Sequence, residues 1–175
     1  MARKLIPPDE FVVKSHHLWN KQGLLLTSGD FAQGDFNTMT VGWGSLGTMW
    51  GRPFAQVVVR PNRYTYEFME RHATFTLCAF PAAYRKALQL MGTKSGRDLD
   101  KVAASGLTPI ASTQVAAPGY AEAELIIECQ KIYWDDLEPA RFLDPDIEKH
   151  YPQHHYHRIY FGEIVAVYGE GGYGV

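Results

Sequence analysis

The stretch Asn37-Thr38-Met39-Thr40-Val41-Gly42-Trp43-Gly44-Ser45 begins with the alternation of a β-strand and then departs from it. Glycines and a tryptophan stand where a strand interior normally carries branched side chains. Glycine weakens a strand, and often marks a bulge or a place where a ligand or another backbone comes close. Asn37, Thr38, Thr40 and Ser45 add small polar groups beside those bare positions. Two readings follow. One is a bent or bulged barrel strand with no ligand. The other is a strand whose N–H and C=O groups run along the edge of a flat polar ligand.

The flanking sequence supports a mainly β fold. Leu24-Leu25-Leu26-Thr27-Ser28, closed by Gly29-Asp30, predicts a strand and turn. Phe54-Ala55-Gln56-Val57-Val58-Val59 is almost continuously apolar, the pattern of a strand buried on both faces. Phe75, Leu77 and Ala79 alternate with Thr74, Thr76 and Cys78. Ala121, Ala123, Leu125, Ile127 and Cys129 alternate with Glu122, Glu124, Glu128 and Gln130, which predicts a long strand with one wet face. A last strand runs from about His157 to Tyr168, followed by a glycine-rich tail expected to be mobile. Pro7-Pro8 predicts an extended arm over residues 1–10.

Helical stripes lie between the strands. Pro81 suits a first helical position, and Tyr84, Ala87, Leu88 and Met91 share one face, with Gly92 as a left-handed stop. Leu99, Val102 and Ala103 form a shorter stripe ending at Gly106, and Asn62 is placed to cap a helix carrying Tyr64, Phe68 and Met69. A further turn or two falls between Asp144 and His150. The expected fold is a closed or nearly closed β-barrel with peripheral helices, one domain over residues 1–175.

Composition narrows the function classes. The chain has 175 residues, 46% hydrophobic and 21% charged, with a net charge of −2. That argues for a globular protein and against a nucleic-acid backbone binder, which needs a basic surface. Neither a membrane-spanning run nor a signal peptide is visible, so a cytoplasmic protein is expected. Cys78 and Cys129 sit in apolar runs and read as buried thiols, a disulfide or redox pair being the alternative.

Two basic stretches at helix starts point to an anion. Val59-Arg60-Pro61-Asn62-Arg63-Tyr64-Thr65 places two arginines at a strand-to-helix junction, where free N–H groups and the helix dipole add to bidentate guanidinium donors. Gly92-Thr93-Lys94-Ser95-Gly96-Arg97-Asp98-Leu99-Asp100-Lys101 is bracketed by glycine, with hydroxyls and cations between, but lacks the Walker pattern. One phosphorylated ligand explains both stretches; surface arginines flanking a helix start are the alternative. His150, His154, His155 and His157 are the best metal candidates by type, yet their spacing matches no closed zinc motif, and they read as a polar loop feeding the last strand. Trp43, Trp50, Tyr64 and Tyr66 read as core and pocket wall. No Ser-based triad is evident around Ser45 or Ser95.

Taken together, N-T-M-T-V-G-W-G-S, W-G-R-P, V-R-P-N-R-Y-T-Y-E, G-T-K-S-G-R-D-L-D-K and H-R-I-Y-F-G-E-I resemble the flavin reductase-like, FMN-binding split-barrel family, in particular its flavoredoxin-like branch. The resemblance implies an FMN-binding split β-barrel, a homodimer, and FMN held non-covalently near the dimer interface. It sets the ring against the backbone from Asn37 to Ser45, taking in Asn37, Thr38 and Ser45, with Met39, Thr40 and Val41 nearest the ring. It gives the phosphate and ribityl end to Arg60, Asn62, Arg63 and Tyr64, with Thr93, Lys94 and Ser95 closing over it. His157 and Arg158 approach from the last strand, His157 as the candidate catalytic residue that makes reduction depend on pH near the free histidine pKa of about 6.5, the alternative being that it only anchors the strand to a backbone carbonyl. The implied activity is NAD(P)H-dependent reduction of flavin or a ferric chelate, with NADH or NADPH as a transient substrate. The alternatives are a flavoredoxin-like electron carrier with a protein partner, and a non-catalytic FMN-binding protein. The residues themselves do not separate a flavin from another phosphorylated planar ligand.

Overall fold

A computed structural model of the chain describes residues 2–174. The described residues form ten strands: β1 (Lys4–Leu5), β2 (Leu24–Asp30), β3 (Asp35–Val41), β4 (Gly44–Met49), β5 (Arg52–Val59), β6 (Thr74–Ala79), β7 (Pro109–Ile110), β8 (Gly119–Tyr120), β9 (Leu125–Asp136) and β10 (Arg158–Gly169). The α-helices are α1 (Ser15–His17), α2 (Tyr64–Arg71), α3 (Arg85–Thr93) and α4 (Lys101–Ser105). The main sheet runs β3-β2-β6-β9-β10-β5-β4 through antiparallel pairs, with β1 added along the end of β10 and β7-β8 paired separately.

The strand order forces the sheet to curl. β3 and β4 lie at opposite ends of the path, yet only Gly42 and Trp43 separate them. Laid flat, those ends would stand roughly 29 Å apart, whereas three Cα–Cα steps span at most about 11 Å. The two edges therefore meet. Among the described residues β3 pairs only with β2 and β4 only with β5, so the barrel is split at this corner. The nine-residue stretch expected to be one strand is thus two, turned at Gly42-Trp43. The corner packs on Trp19: a Cβ on Gly44 would collide with the Trp19 ring and the Gln56 carbonyl.

Leu24, Leu26, Val57, Val59, Phe75, Leu77, Leu125, Ile127 and Tyr160 fill the barrel. A second cluster covers the outer face, where Leu25, Cys78 and Ile126 pack under Ala87, Leu88 and Met91 of α3 and under Leu107 and Tyr120. This second layer corrects the expected wet face of β9. Glu128 is 1% exposed and its carboxylate accepts from the Thr113 and Gln114 amides at 2.9 and 2.7 Å. Residues 121–124 lie outside the strand. Cys78 and Cys129 are free and buried, one in each cluster, and burial pushes the Cys78 thiol up to about 12.

Other local expectations also shift. Gly29 lies within β2, and the turn follows it. α3 is preceded by a 3₁₀ turn at Ala82–Tyr84 and runs through Gly92 to Thr93, so Gly92 is no left-handed stop. It sits against β3 instead, where a Cβ would come within 3.2 Å of Thr40 Cβ. Gly106 does end α4 in the left-handed region. The arm pairs with β10 through β1, and the glycine-rich tail is folded back: Tyr173 donates to Glu124 at 2.6 Å and Gly174 bridges to Phe11. Met1 and Val175 lie outside the described residues. No described helix is long and apolar enough to cross a membrane.

Candidate functional site

Two adjoining cavities open beside the split corner. The wider, of about 290 Å³, is lined by Met39, Thr40 and Val41 at the exit of β3, by Trp43, and by Arg60, Arg63 and His157. The narrower, of about 100 Å³, lies between Asn37, the start of α2 and the loop that follows α3, with Thr93, Lys94, Ser95 and Gly96 on one wall. Met39 and Arg63 belong to both, so the two make one continuous recess.

The wider part offers backbone groups along a flat edge. β3 ladders only with β2. The Thr38 carbonyl accepts from Lys101 at 2.6 Å and therefore points away from β2. Main-chain groups alternate sides along a strand, so the Thr40 N–H and C=O face the same unpaired edge. His157 forms the far wall at 8% exposure, its Nδ1 2.8 Å from the Tyr151 hydroxyl and its ring 5.1 Å from that of Trp43. Burial, with Arg60 and Arg63 close by, pushes its pKa down to about 4. The expected titration near 6.5 is corrected: His157 is neutral throughout the physiological range.

The narrower part is built for an anion. α2 has Arg63 as its N-cap residue and no side-chain cap, and its first residues, Tyr64 and Thr65, line the recess, so the positive end of the helix dipole lies beside it. Arg63 reaches the Gly92 carbonyl at 3.4 Å. Lys101 forms the floor at 5% exposure, held by the Thr38 and Met91 carbonyls at 2.6 and 3.1 Å. No carboxylate pairs with it among the described residues, and burial with the Arg63 charge lowers its pKa to about 8. Asn37 donates to the Thr65 hydroxyl at 2.7 Å, and a Cβ on Gly96 would strike Asn37 and Tyr64, so a glycine is needed where loop and strand close together.

Arg60, Asn62 and Tyr64 also lie along the recess. Arg60 donates to the His150 carbonyl at 2.8 Å, and Tyr64 carries Arg97 over its ring at 4.8 Å. Asn62 contacts His155 at 3.3 Å and does not cap α2. The Thr93 hydroxyl donates to Gln89 at 2.8 Å and that of Ser95 accepts from the Arg97 amide at 3.1 Å.

Two expected placements shift, and Thr38 reaches the site by its backbone: its side chain is buried against the Thr27 hydroxyl at 2.9 Å while its carbonyl accepts from Lys101. Ser45 bonds Gln56 at 2.8 Å, past the corner and outside both cavities. Arg158 points to the other face, gripped by Asp136 at 2.7 Å and Glu70 at 2.8 Å, with Trp134 under it at 3.7 Å. The histidines disperse to separate partners, and among the described residues no three of His, Cys, Asp or Glu can hold a metal together. Sequence reading took Lys101 into the second basic stretch but did not single it out, because nothing local distinguishes it from a solvated helix-start lysine. Nor did it single out Thr65 and Gly96, which are legible only once Asn37 is placed beside them.

Comparisons with known proteins bear on the family and the fold. A family model described as a flavin reductase like domain matches residues 21–174. No curated protein matches the chain. Among solved structures the chain is similar to the flavoredoxin of Desulfovibrio vulgaris (Miyazaki F), with 24% identity, TM-score 0.67, and coverage of 91% of this chain and 74% of that one. It is similar to a flavoredoxin from Methanosarcina acetivorans, with 25% identity, TM-score 0.66, and coverage of 88% and 71%. An FMN-binding domain of a flavin reductases-like enzyme from Shewanella baltica OS155 aligns at TM-score 0.66 and 18% identity, covering 97% and 78%.

Proposed function

Because the chain belongs to the flavin reductase-like domain family, we propose that it binds FMN in the recess beside the split corner and works as an NAD(P)H-dependent reductase of free flavin or a ferric chelate. The observation that carries the reading is the buried Lys101 ammonium. Among the described residues it has no carboxylate partner, and it lies at the floor of a cavity that continues, through Met39 and Arg63, into a wider one edged by free strand groups. A buried cation needs an anion nearby, and a phosphate on a flat ring system satisfies both halves of the recess. Arg63, Lys94, Lys101 and the α2 start hold the phosphate. Met39, Thr40 and Val41 lie against the ring.

Bound FMN supplies the hydride and single-electron transfer. The chain's part is to bind, orient and set the electrostatics. The Thr40 N–H is a donor for the ring's polar edge. His157, neutral and fixed by Tyr151, gives a wall without added charge. Trp43, 47% exposed, stands at the mouth, where it meets whatever approaches the ring. We further propose a homodimer, formed through an exposed aromatic face on β9, β10 and the β4–β5 turn.

FMN and riboflavin titrations into wild type and Arg63→Ala test the binding. FMN affinity should fall by about 1–3 kcal/mol in the variant, the range for a hydrogen bond to a charged group, and riboflavin affinity much less. Equal losses would remove the phosphate assignment, and absence of FMN uptake would remove the reading. Steady-state NADH and NADPH oxidation with flavin or ferric acceptors tests the activity. No turnover, with reduction only by a redox protein, would make the chain an electron carrier.

A further inference from the structure

A separate cavity of about 490 Å³, in the size range of small-molecule sites, lies between the Val12–Gln22 segment, the start of α3 and the folded-back tail. It shares no lining residue with the flavin recess. We propose that this cavity binds a small amphipathic carboxylate of aromatic-acid size, its carboxylate among Lys14, Lys21 and Arg85 and its ring on Val12, Val13 and Pro81.

The charges argue for the anion. Arg52, Arg71, Arg97 and Arg158 each have a carboxylate partner. The side chains of Lys14, His17, Lys21 and Arg85 have neither an ion pair nor a hydrogen bond among the described residues. In a chain of net charge −2 these unpartnered bases gather at one opening. Arg85 also begins α3, a helix with no side-chain cap, so the dipole's positive end adds to the same field.

The walls and base argue for an apolar body. Val12, 47% exposed, with half-buried Val13 and exposed Pro81, gives an apolar lining beside the basic rim, backed by the buried Leu18, Phe80 and Leu88. The carboxylate in the cavity, Glu124, is already engaged: its Oε1 accepts from the Tyr173 hydroxyl at 2.6 Å and from Gln22. It therefore closes the base against the tail and leaves the rim cations in excess. Inorganic anions would use the rim but leave the apolar wall wet. A neutral ring would use the wall alone.

Calorimetric titration and saturation-transfer NMR, run on the protein saturated with FMN, decide the matter, with benzoate, 4-hydroxybenzoate and neutral 4-hydroxybenzyl alcohol as probes. Both carboxylates should bind, the alcohol clearly more weakly. The double variant Lys21→Gln/Arg85→Gln, at exposed positions away from the flavin recess, should weaken carboxylate binding by about three- to tenfold, the range for two partly exposed ion pairs. Four results would each overturn the proposal: no carboxylate binding by wild type, equal binding of the alcohol, no loss in the double variant, or binding seen only when FMN is left out.

Discussion

His157 is 8% exposed, touches the Tyr151 hydroxyl, and shares its cavity with the Arg60 and Arg63 guanidiniums. Its pKa falls from 6.5 to about 4 for those reasons. Between those values the unfolded chain binds a proton that the folded chain does not, so stability rises with pH there and is lost as pH falls from about 6.5 towards 4. The unfolding free energy from urea titration should decline over that interval by on the order of 1–2 kcal/mol, and the decline should be smaller in His157→Gln. The rate of flavin reduction should be flat from pH 5 to 8 in both proteins. A step near pH 6.5 that vanishes in the variant would contradict a buried neutral ring. Lys101 carries the opposite consequence. Its pKa is about 8 without a bound anion, so phosphate binding recruits a proton above that value. FMN affinity should therefore fall as pH rises through about 8, riboflavin affinity should not, and Lys101→Met should bind FMN more weakly with the slope removed. The arginines and the glycine-bearing strand were legible because they are contiguous in sequence. Lys101 was not, because its burial comes from Met91 and Thr38, residues brought to it only by the fold.

The elements repeat this division between local and assembled information. β5 and β6 could be read from their apolar runs, since alternation and branching are local properties. The wet face assigned to β9 failed because residues 107–123 and α3 cover the sheet from outside, and no pattern within β9 announces a cover. The β3–β4 corner could be suspected from its glycines, but not that it joins opposite ends of the sheet. Gly44 makes that corner testable. Its position leaves no room for a side chain, because Gln56 and Trp19 already occupy the space. Gly44→Ala should cost about 1–3 kcal/mol, the usual range for forcing a group into packed structure. Gly171→Ala, where a Cβ meets nothing within 4 Å, should stay within about 0.5 kcal/mol of wild type. Equal urea midpoints for all three proteins would show that the corner is looser than its packing implies.

At the scale of the whole molecule one face is left uncovered. Trp50, Tyr133 and Trp134 are 60%, 46% and 53% exposed, and Trp50, Tyr133, Phe161 and Phe54 form a chain of ring contacts 5.2–6.3 Å apart. Exposed aromatic groups of this kind mark interfaces. The backbone at Trp50 is also strained. Trp50 and Gly51 make the two-residue turn between β4 and β5 with φ of 55° and 69°, the conformation in which asparagine followed by glycine is preferred. A tryptophan there is held against its own backbone preference, which costs on the order of 1 kcal/mol, and its ring lies on Tyr133 and Phe161 while staying 60% exposed. Trp50→Asn separates the two effects. It should ease the turn and leave or raise thermal stability at low protein concentration, while it removes the central ring of the face. Sedimentation velocity at micromolar concentration should then show a dimer for wild type and a shift towards monomer for Trp50→Asn. A monomeric wild type, or a variant that dimerises as tightly as wild type, would mean that the aromatic face has another use.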